Sequence, residues 1–225
     1  MNLFNVHDFF GYLVNGFLLR GVFVTLGLTV ATVIGGMVLG MLIAMLRMSA
    51  SKPLIGIARF YIWVFRGTPL LIQLVIIYTG LPQLGVRLSV IESSLLALIL
   101  NEAAYLAEII RSGFMGVARG QYEAAQALGL PRWLVMWKVT LPQAFRLMIP
   151  SFGNSVNGLL KSTSITSVIS MEELMRRSQM LMQEKFEVLE VFGAAAIFYL
   201  LMTTGWGLIQ RGLEKHFGAG HETSR

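Results

Sequence analysis

Between Arg20 and Arg47 the chain runs twenty-six residues without one charged side chain. Crossing the hydrocarbon core of a bilayer as a helix takes about 20 apolar residues. Such a stretch excludes most soluble architectures at once, because water-facing helices need a polar side. It contains the pair Gly36-x-x-x-Gly40, whose missing side chains allow a second helix to approach closely.

Four further stretches are apolar over a membrane-spanning length, the last of them again uncharged: about Phe60 to Leu81, Ile91 to Ile110, Phe145 to Ser170, and Val191 to Gln210. The fold class expected is therefore all-α, a polytopic membrane protein with five transmembrane helices. The composition agrees, with 55% hydrophobic and 13% charged residues and a mean hydropathy of +0.68. In 225 residues this leaves room for one membrane domain and none for an attached catalytic domain. The chain has no cysteine, which rules out disulfides and thiolate metal sites. His7, His216 and His221 lie near the termini without ligand-like spacing, so no metal site and no cofactor is expected. A net charge of +6 raises nucleic acid as a partner. The cations, however, flank the apolar stretches, where they act as topology determinants, and no nucleic acid is expected.

Setting aside Arg66 and Lys161, which fall inside spans, eleven basic residues lie on one side of a five-span arrangement and five on the other. The larger group, which includes Arg47, Arg111, Lys138, Arg211 and Arg225, belongs in the cytoplasm by the positive-inside rule. The N-terminus is then outside, and the C-terminus and the 113–144 loop are inside. The first residues lack a basic n-region and a small-residue cleavage site, so they read as an amphipathic lead-in along the membrane surface rather than a removed signal. The division expected is a lead-in over 1–16, a membrane domain over 17–213 and a cytoplasmic tail over 214–225.

Within the second stretch, Arg66-Gly67-Thr68-Pro69 predicts a kink or local unwinding, because proline removes a backbone donor and clashes with the preceding turn. Over Met171–Glu190, the pairs Glu172/Arg176 and Glu173/Arg177 stand four apart and suggest a solvated external helix, with a charged linker as the alternative.

The 113–144 loop carries the most specific pattern. Gln121 to Leu128 favours helix, and Ala124 and Ala125 give it a face without bulk. Gly129 suits the left-handed position just past a helix end, and Pro131 suits the first turn of a second short helix. Leu141-Pro142 is expected to end that piece before the fourth span. On residues alone, an idle helical hairpin anchored by Trp133 and Trp137 at the interface accounts for the loop as well.

The spacing Glu123-Ala124-Ala125-x3-Gly129-x11-Leu141-Pro142 resembles the cytoplasmic signature of permease subunits in binding-protein-dependent ABC importers. Phe65 to Leu74, Ala103 to Arg111 and Lys161-Ser162-Thr163-Ser164-Ile165 are similar to motifs of the polar-amino-acid branch of that family. Ile165 stands where Leu is usual, and Val139 where the loop often has Ile. The resemblance covers about Gly16 to Leu213. It implies an ABC type I importer permease fold in a bacterial inner membrane, passing it several times. The partners implied are a second permease subunit of the same or a related kind, two cytoplasmic ATP-binding subunits and an external solute-binding protein. The EAA loop is the implied docking point for the ATPase. The chain would then be no enzyme itself. A P-loop check agrees, because the sequence GNSVNGLLKS lacks the lysine directly after its second glycine.

A zwitterionic amino acid needs an acceptor for its ammonium and donors for its carboxylate. Charges inside a span are costly and face a cavity or a partner. Glu102 suits the first role and Arg66 or Lys161 the second, with opened backbone at Gly67 and Thr68. Gln73, Tyr105, Thr163 and Ser164 are further candidates. The competing reading has Glu102 and Lys161 pairing with each other or with a neighbouring subunit. A lone secondary transporter is the rival function, weakened by the absence of a visible internal repeat.

Overall fold

The computed structural model describes residues 4–218; residues 1–3 and 219–225, with the end of the expected tail, His221 and Arg225, lie outside them. The described residues form ten α-helices and no strand. Helix α1 (Val6–Leu13) is capped by the Asn5 side chain, which accepts from the His7 and Asp8 amides. It is followed by α2 (Gly16–Arg47), capped in the same way by Asn15. At 32 residues, α2 is roughly 48 Å long, well beyond the hydrocarbon thickness.

Next come α3 (Lys52–Gly67) and α4 (Leu70–Val75), then α5 (Val90–Met115), which opens on a reciprocal Ser89/Glu92 capping box. The short helices α6 (Arg119–Ala127) and α7 (Arg132–Val135) lead into α8 (Leu141–Ser162). A run of tight 3₁₀ turns, Thr163–Ile169, then reaches α9 (Leu174–Lys185) and finally α10 (Val188–Gly218). The expected tail therefore begins as the last turns of α10.

Helix α5 is the axis of the molecule, packed by α2, α3, α4 and α8, with α10 against α8. The α2–α5 seam uses the predicted small residues. A Cβ on Gly40 would stand 3.0 Å from the Ala103 carbonyl oxygen, and one on Gly36 3.3 Å from Cγ of Glu102. Three helices, α2, α5 and α10, are long and apolar enough to cross a membrane, and the bent pair α3–α4 makes up to four. Helix α8 is too polar to pass the same test, although its 22 residues reach about 33 Å.

The kink expected at Pro69 is a break of 103° between α3 and the segment that begins with α4. Pro69 cannot supply the amide that would close on the Phe65 carbonyl four residues back. Side chains take its place: Gln73 Nε2 donates to that oxygen at 3.0 Å and Asn101 Nδ2 donates to it at 3.0 Å. Gln73 also holds the Thr68 carbonyl at 3.1 Å and its hydroxyl at 2.9 Å, so one amide ties the two sides of the break.

Two other prolines are absorbed differently. Leu81-Pro82 and Leu141-Pro142 each follow a widened π turn, Ile76–Gly80 and Met136–Thr140. In each, the leucine amide reaches back five residues, to Ile76 and Met136. Leu141-Pro142 thus does not end a helical piece, as the sequence suggested. It opens α8, so Arg132 to Ser162 is one continuous helical path.

The segment after Ser170 departs from the expected solvated helix. Helix α9 exists, but Glu173 is fully buried as its N-cap, accepting from the Met175 and Arg176 amides. Glu172 bonds Arg177 at 3.0 Å instead of Arg176, and Arg177 lies over the Phe17 ring, 4.5 Å from its centroid. Helix α1 packs on α10, with Tyr12 donating to Glu187 at 2.6 Å and the Asn5 amide to Glu190 at 2.6 Å. Val6, Phe10 and Val14 stay exposed.

Candidate functional site

A cavity of about 340 Å³ opens where the α3–α4 break faces α5 and α8. Each wall follows from local structure. The break exposes Thr68, Pro69 and Leu70; one face of α5 supplies Leu98, Asn101, Glu102 and Tyr105; and α8 supplies Asn154, Ser155, Gly158, Leu159 and Ser162. Of the expected residues, Thr68, Glu102 and Tyr105 line this space.

Glu102 carries the cavity's formal negative charge. Its stem packs against Gly36, and only 6% of the residue is exposed. Ser155 donates to its Oε1 at 2.6 Å. Tyr105, one turn further along α5, lies under the Arg66 guanidinium, 5.1 Å from its ring centroid. Arg66 itself does not line the cavity, and Gly67 is exposed beside it.

The remaining expected residues are elsewhere. Gln73 is buried and committed to the helix break. Lys161 sits exposed on the last turn of α8, where a cation suits the carbonyl end of a helix. It forms no ion pair with Glu102, whose partner is Ser155, so the pairing of these two within the chain does not occur. Thr163 is fully buried and donates to the Leu160 carbonyl at 2.8 Å; Ser164 donates to that of Lys161 at 2.6 Å. Both serve the tight turns rather than the cavity.

Asn101, Asn154, Ser155 and Ser162 were not anticipated. Asn154 and Ser155 lie in the fourth apolar stretch, within the sequence that fails as a phosphate loop. Neutral amides and hydroxyls in a span carry no cost large enough to mark them in a sequence. At the other end of α5, Glu108 binds Arg111 at 2.8 Å and approaches Arg47 at 3.9 Å, which ties the ends of α2 and α5 together.

The second candidate region is the loop over α6 and α7. Gly129 has φ of +74° and closes α6 as predicted. Its amide bonds the Gln126 carbonyl at 2.9 Å and the Leu130 amide the Ala125 carbonyl at 3.2 Å, the two bonds of a Schellman ending. Glu123 pairs with Arg119 at 2.9 Å on the exposed side. The two alanines do not share a face. Adjacent helical residues point about 100° apart, and Ala125 is buried while Ala124 is exposed. The inner side of α6 packs on α7 and the widened turn Met136–Thr140. Leu128, at the end of α6, is 81% exposed, and Trp133 and Trp137 are each 64% exposed.

Comparison with known proteins gives one consistent picture. The family described as binding-protein-dependent transport system inner membrane component matches residues 36–218. The chain is 41% identical to the putative glutamine transport system permease protein GlnP of Rickettsia felis, over 83% of this chain and 86% of that one. It is 38% identical to the arginine transport system permease protein ArtQ of Bacillus subtilis, over 88% of this chain and 91% of that one. Among solved structures, an amino acid ABC transporter crystallised with histidines superposes with a TM-score of 0.85. It is 36% identical and the match covers 89% of this chain and 94% of that one.

Proposed function

The chain belongs to the family of binding-protein-dependent transport system inner membrane components, and from that premise we propose that it conducts a polar amino acid across the membrane. It is a non-catalytic permease subunit of the inner membrane, and in this family transport is coupled to an ATPase. The reading goes further in four respects. Five segments cross the membrane: α2, the broken pair α3–α4, α5, α8 and α10. The N-terminus lies outside and the α6–α7 loop inside. A second permease subunit, two ATP-binding subunits and an external binding protein complete the assembly. Lipid surrounds the 17–213 domain, and α1, in the 1–16 lead-in, rests at the outer surface with Val6 and Phe10 toward it.

One observation carries the mechanism: a continuous helical path joins the α6–α7 loop to the cavity. Helix α6 seats on the turn Met136–Thr140, which runs without interruption into α8. Ser155 is then about 20 Å along that helix from Leu141. A push on Glu123, Ala124 and the Schellman turn at Gly129 moves α8, and with it the wall that holds Glu102. Thr68, Glu102 and Tyr105 receive the substrate, and Arg66 lies outside the cavity over the Tyr105 ring. Gln73, Thr163 and Ser164 keep the break and the tight turns in shape around it, with Lys161 at the helix end.

The test is uptake of radiolabelled amino acids into proteoliposomes containing the whole transporter. Uptake that requires ATP inside and the binding protein outside supports the reading. Equal uptake without the ATPase would establish the secondary transporter instead. Since the chain lacks cysteine, single cysteines report topology cleanly. An impermeant thiol reagent should label Gln83→Cys from outside and leave Gly120→Cys unlabelled.

A further inference from the structure

The polar cavity beside Glu102 has an apolar counterpart further along α8. A second cavity, of about 250 Å³, lies between α2, α5, α8 and α10, and none of its thirteen lining side chains carries a nitrogen or oxygen atom. We infer that this crevice binds an anionic phospholipid of the cytoplasmic leaflet, with an acyl chain in the crevice and the phosphate among Lys138, Arg146 and Lys215. The inference rests on the orientation proposed above, with the 113–144 loop inside.

The lining excludes other contents. Water is held in protein cavities by polar partners, and these side chains offer none. A polar amino acid would lose its hydration there without return. An empty void of this size is uncommon in a packed interior. The crevice is also open: Leu106, Ile110 and Ile149 are buried on its floor, while Met41, Phe145 and Leu213 are exposed at its rim. In a bilayer, an apolar opening of this kind meets hydrocarbon.

The crevice continues as a furrow. A cavity of about 380 Å³ lies along α2, α8 and α10 and is again almost wholly apolar. Its two polar side chains are already committed: Thr29 donates to the Thr25 carbonyl at 2.8 Å, and the Trp206 indole to the Gly153 carbonyl at 2.8 Å. On each helix the two linings follow one another at a single turn, from Ile34 to Met37, from Phe152 to Val156 and from Ile209 to Leu213. The packing order is the cause, because α8 touches both α2 and α10, while α9 bridges those two near Thr25. From Leu26 to Met41 the furrow runs about 22 Å along α2. That exceeds one leaflet's half of the ~30 Å hydrocarbon core, so an extended acyl chain fits lengthwise.

Charge decides which lipid. Lys138 stands three residues before the lining residue Leu141, Arg146 directly after Phe145, and Lys215 two before Phe217. All three are exposed, and none joins an ion pair among the described residues. Glu214 is the acidic group beside them; it shares a small hollow with Arg146 and accepts from Gln210 at 2.9 Å. Three cations against one carboxylate leave a positive rim, which favours a phosphodiester with net negative charge over a zwitterionic headgroup. Long basic side chains reach the headgroup level with their stems against apolar surface. Ser155 and Val156 are neighbours on α8, the first in the substrate cavity and the second in the furrow, so the lipid braces the helix that forms the substrate's wall.

The experiment is native mass spectrometry of the detergent-solubilised permease–ATPase complex titrated with dioleoyl phosphatidylglycerol or dioleoyl phosphatidylcholine. The anionic lipid should saturate at one copy per permease chain and bind roughly tenfold more tightly than the zwitterionic one. Arg146→Gln combined with Lys215→Gln should remove most of that preference. Leu213→Trp, which fills the mouth, should weaken binding of both lipids. Equal binding of the two lipids by the native complex, uptake of lipid without saturation, full preference in the double variant, or unchanged binding by Leu213→Trp would each overturn the inference and leave the importer reading standing. If a variant fails to assemble, the comparison of the two lipids on the native complex decides alone. Labelling of Gly120→Cys from outside would overturn the orientation, and this inference with it.

Discussion

The Tyr199 hydroxyl on α10 meets the buried carboxylate of Glu173 at 3.1 Å, and through it three helices share one polar contact. The same carboxylate caps α9 through the Met175 and Arg176 amides, and Thr25 on α2 reaches it at 3.5 Å while accepting the Leu174 amide at 3.2 Å. A charged residue that reads as solvated in the sequence is thus a buried tie between α2, α9 and α10.

Glu173→Ala removes a helix cap and leaves the Tyr199 hydroxyl without its acceptor. The two losses together are expected to cost about 2–4 kcal/mol. Glu173→Gln keeps an acceptor and should recover part of this. Thermal unfolding of the purified protein in detergent checks the order, with native highest, Gln next and Ala lowest. Melting points that coincide for Ala and native protein would remove Glu173 from the packing of α9.

Gly40 and Gly27 lie on the same helix and should respond oppositely to alanine. At Gly40 the new Cβ stands 3.0 Å from both the Ala103 carbonyl oxygen and Leu106 Cβ, so α2 and α5 must separate, at about 1–3 kcal/mol. At Gly27 nothing lies within 4 Å, and alanine gains up to about 1 kcal/mol in helix propensity. The same melting assay decides, and equal shifts at both sites would refute the close seam.

Gly129→Val forces a β-branched residue to φ of +74°, a conformation that costs an L-residue roughly 1–2 kcal/mol or more. ATP-driven uptake should fall sharply while the protein still inserts. Gly129→Asn, which tolerates the left-handed region, should keep most of it. Uptake that survives valine as well as asparagine would detach this turn from coupling.

Ala124 and Ala125 separate docking from folding. Ala124→Trp adds bulk on the exposed side of α6 and should reduce co-purification of the ATPase without lowering the melting point. Ala125→Trp overfills a buried position and should lower the melting point itself. Normal ATPase binding by Ala124→Trp would move the docking surface off α6.

Much of the architecture is legible along the chain, because its causes are local. Long apolar runs become helices that satisfy their own backbone, as α2, α5 and α10 do. Pro69 breaks its helix because its ring fixes φ and lacks a donor. Gly129 closes α6 because only a residue without a Cβ takes φ of +74° freely. What the chain alone left open depends on contacts between distant segments. Gln73 reads as a ligand until Phe65 and Thr68 fold back on it, and Lys161 as a buried charge until α8 ends beneath it. Glu102 and Ser155 are fifty-three residues apart and meet only when α5 and α8 pack. The sequence by itself determined where helices form, break and end, since those outcomes turn on backbone geometry within a few residues. Only the tertiary structure decided which charges are paired, because hydrogen bonding and burial depend on which helix faces which.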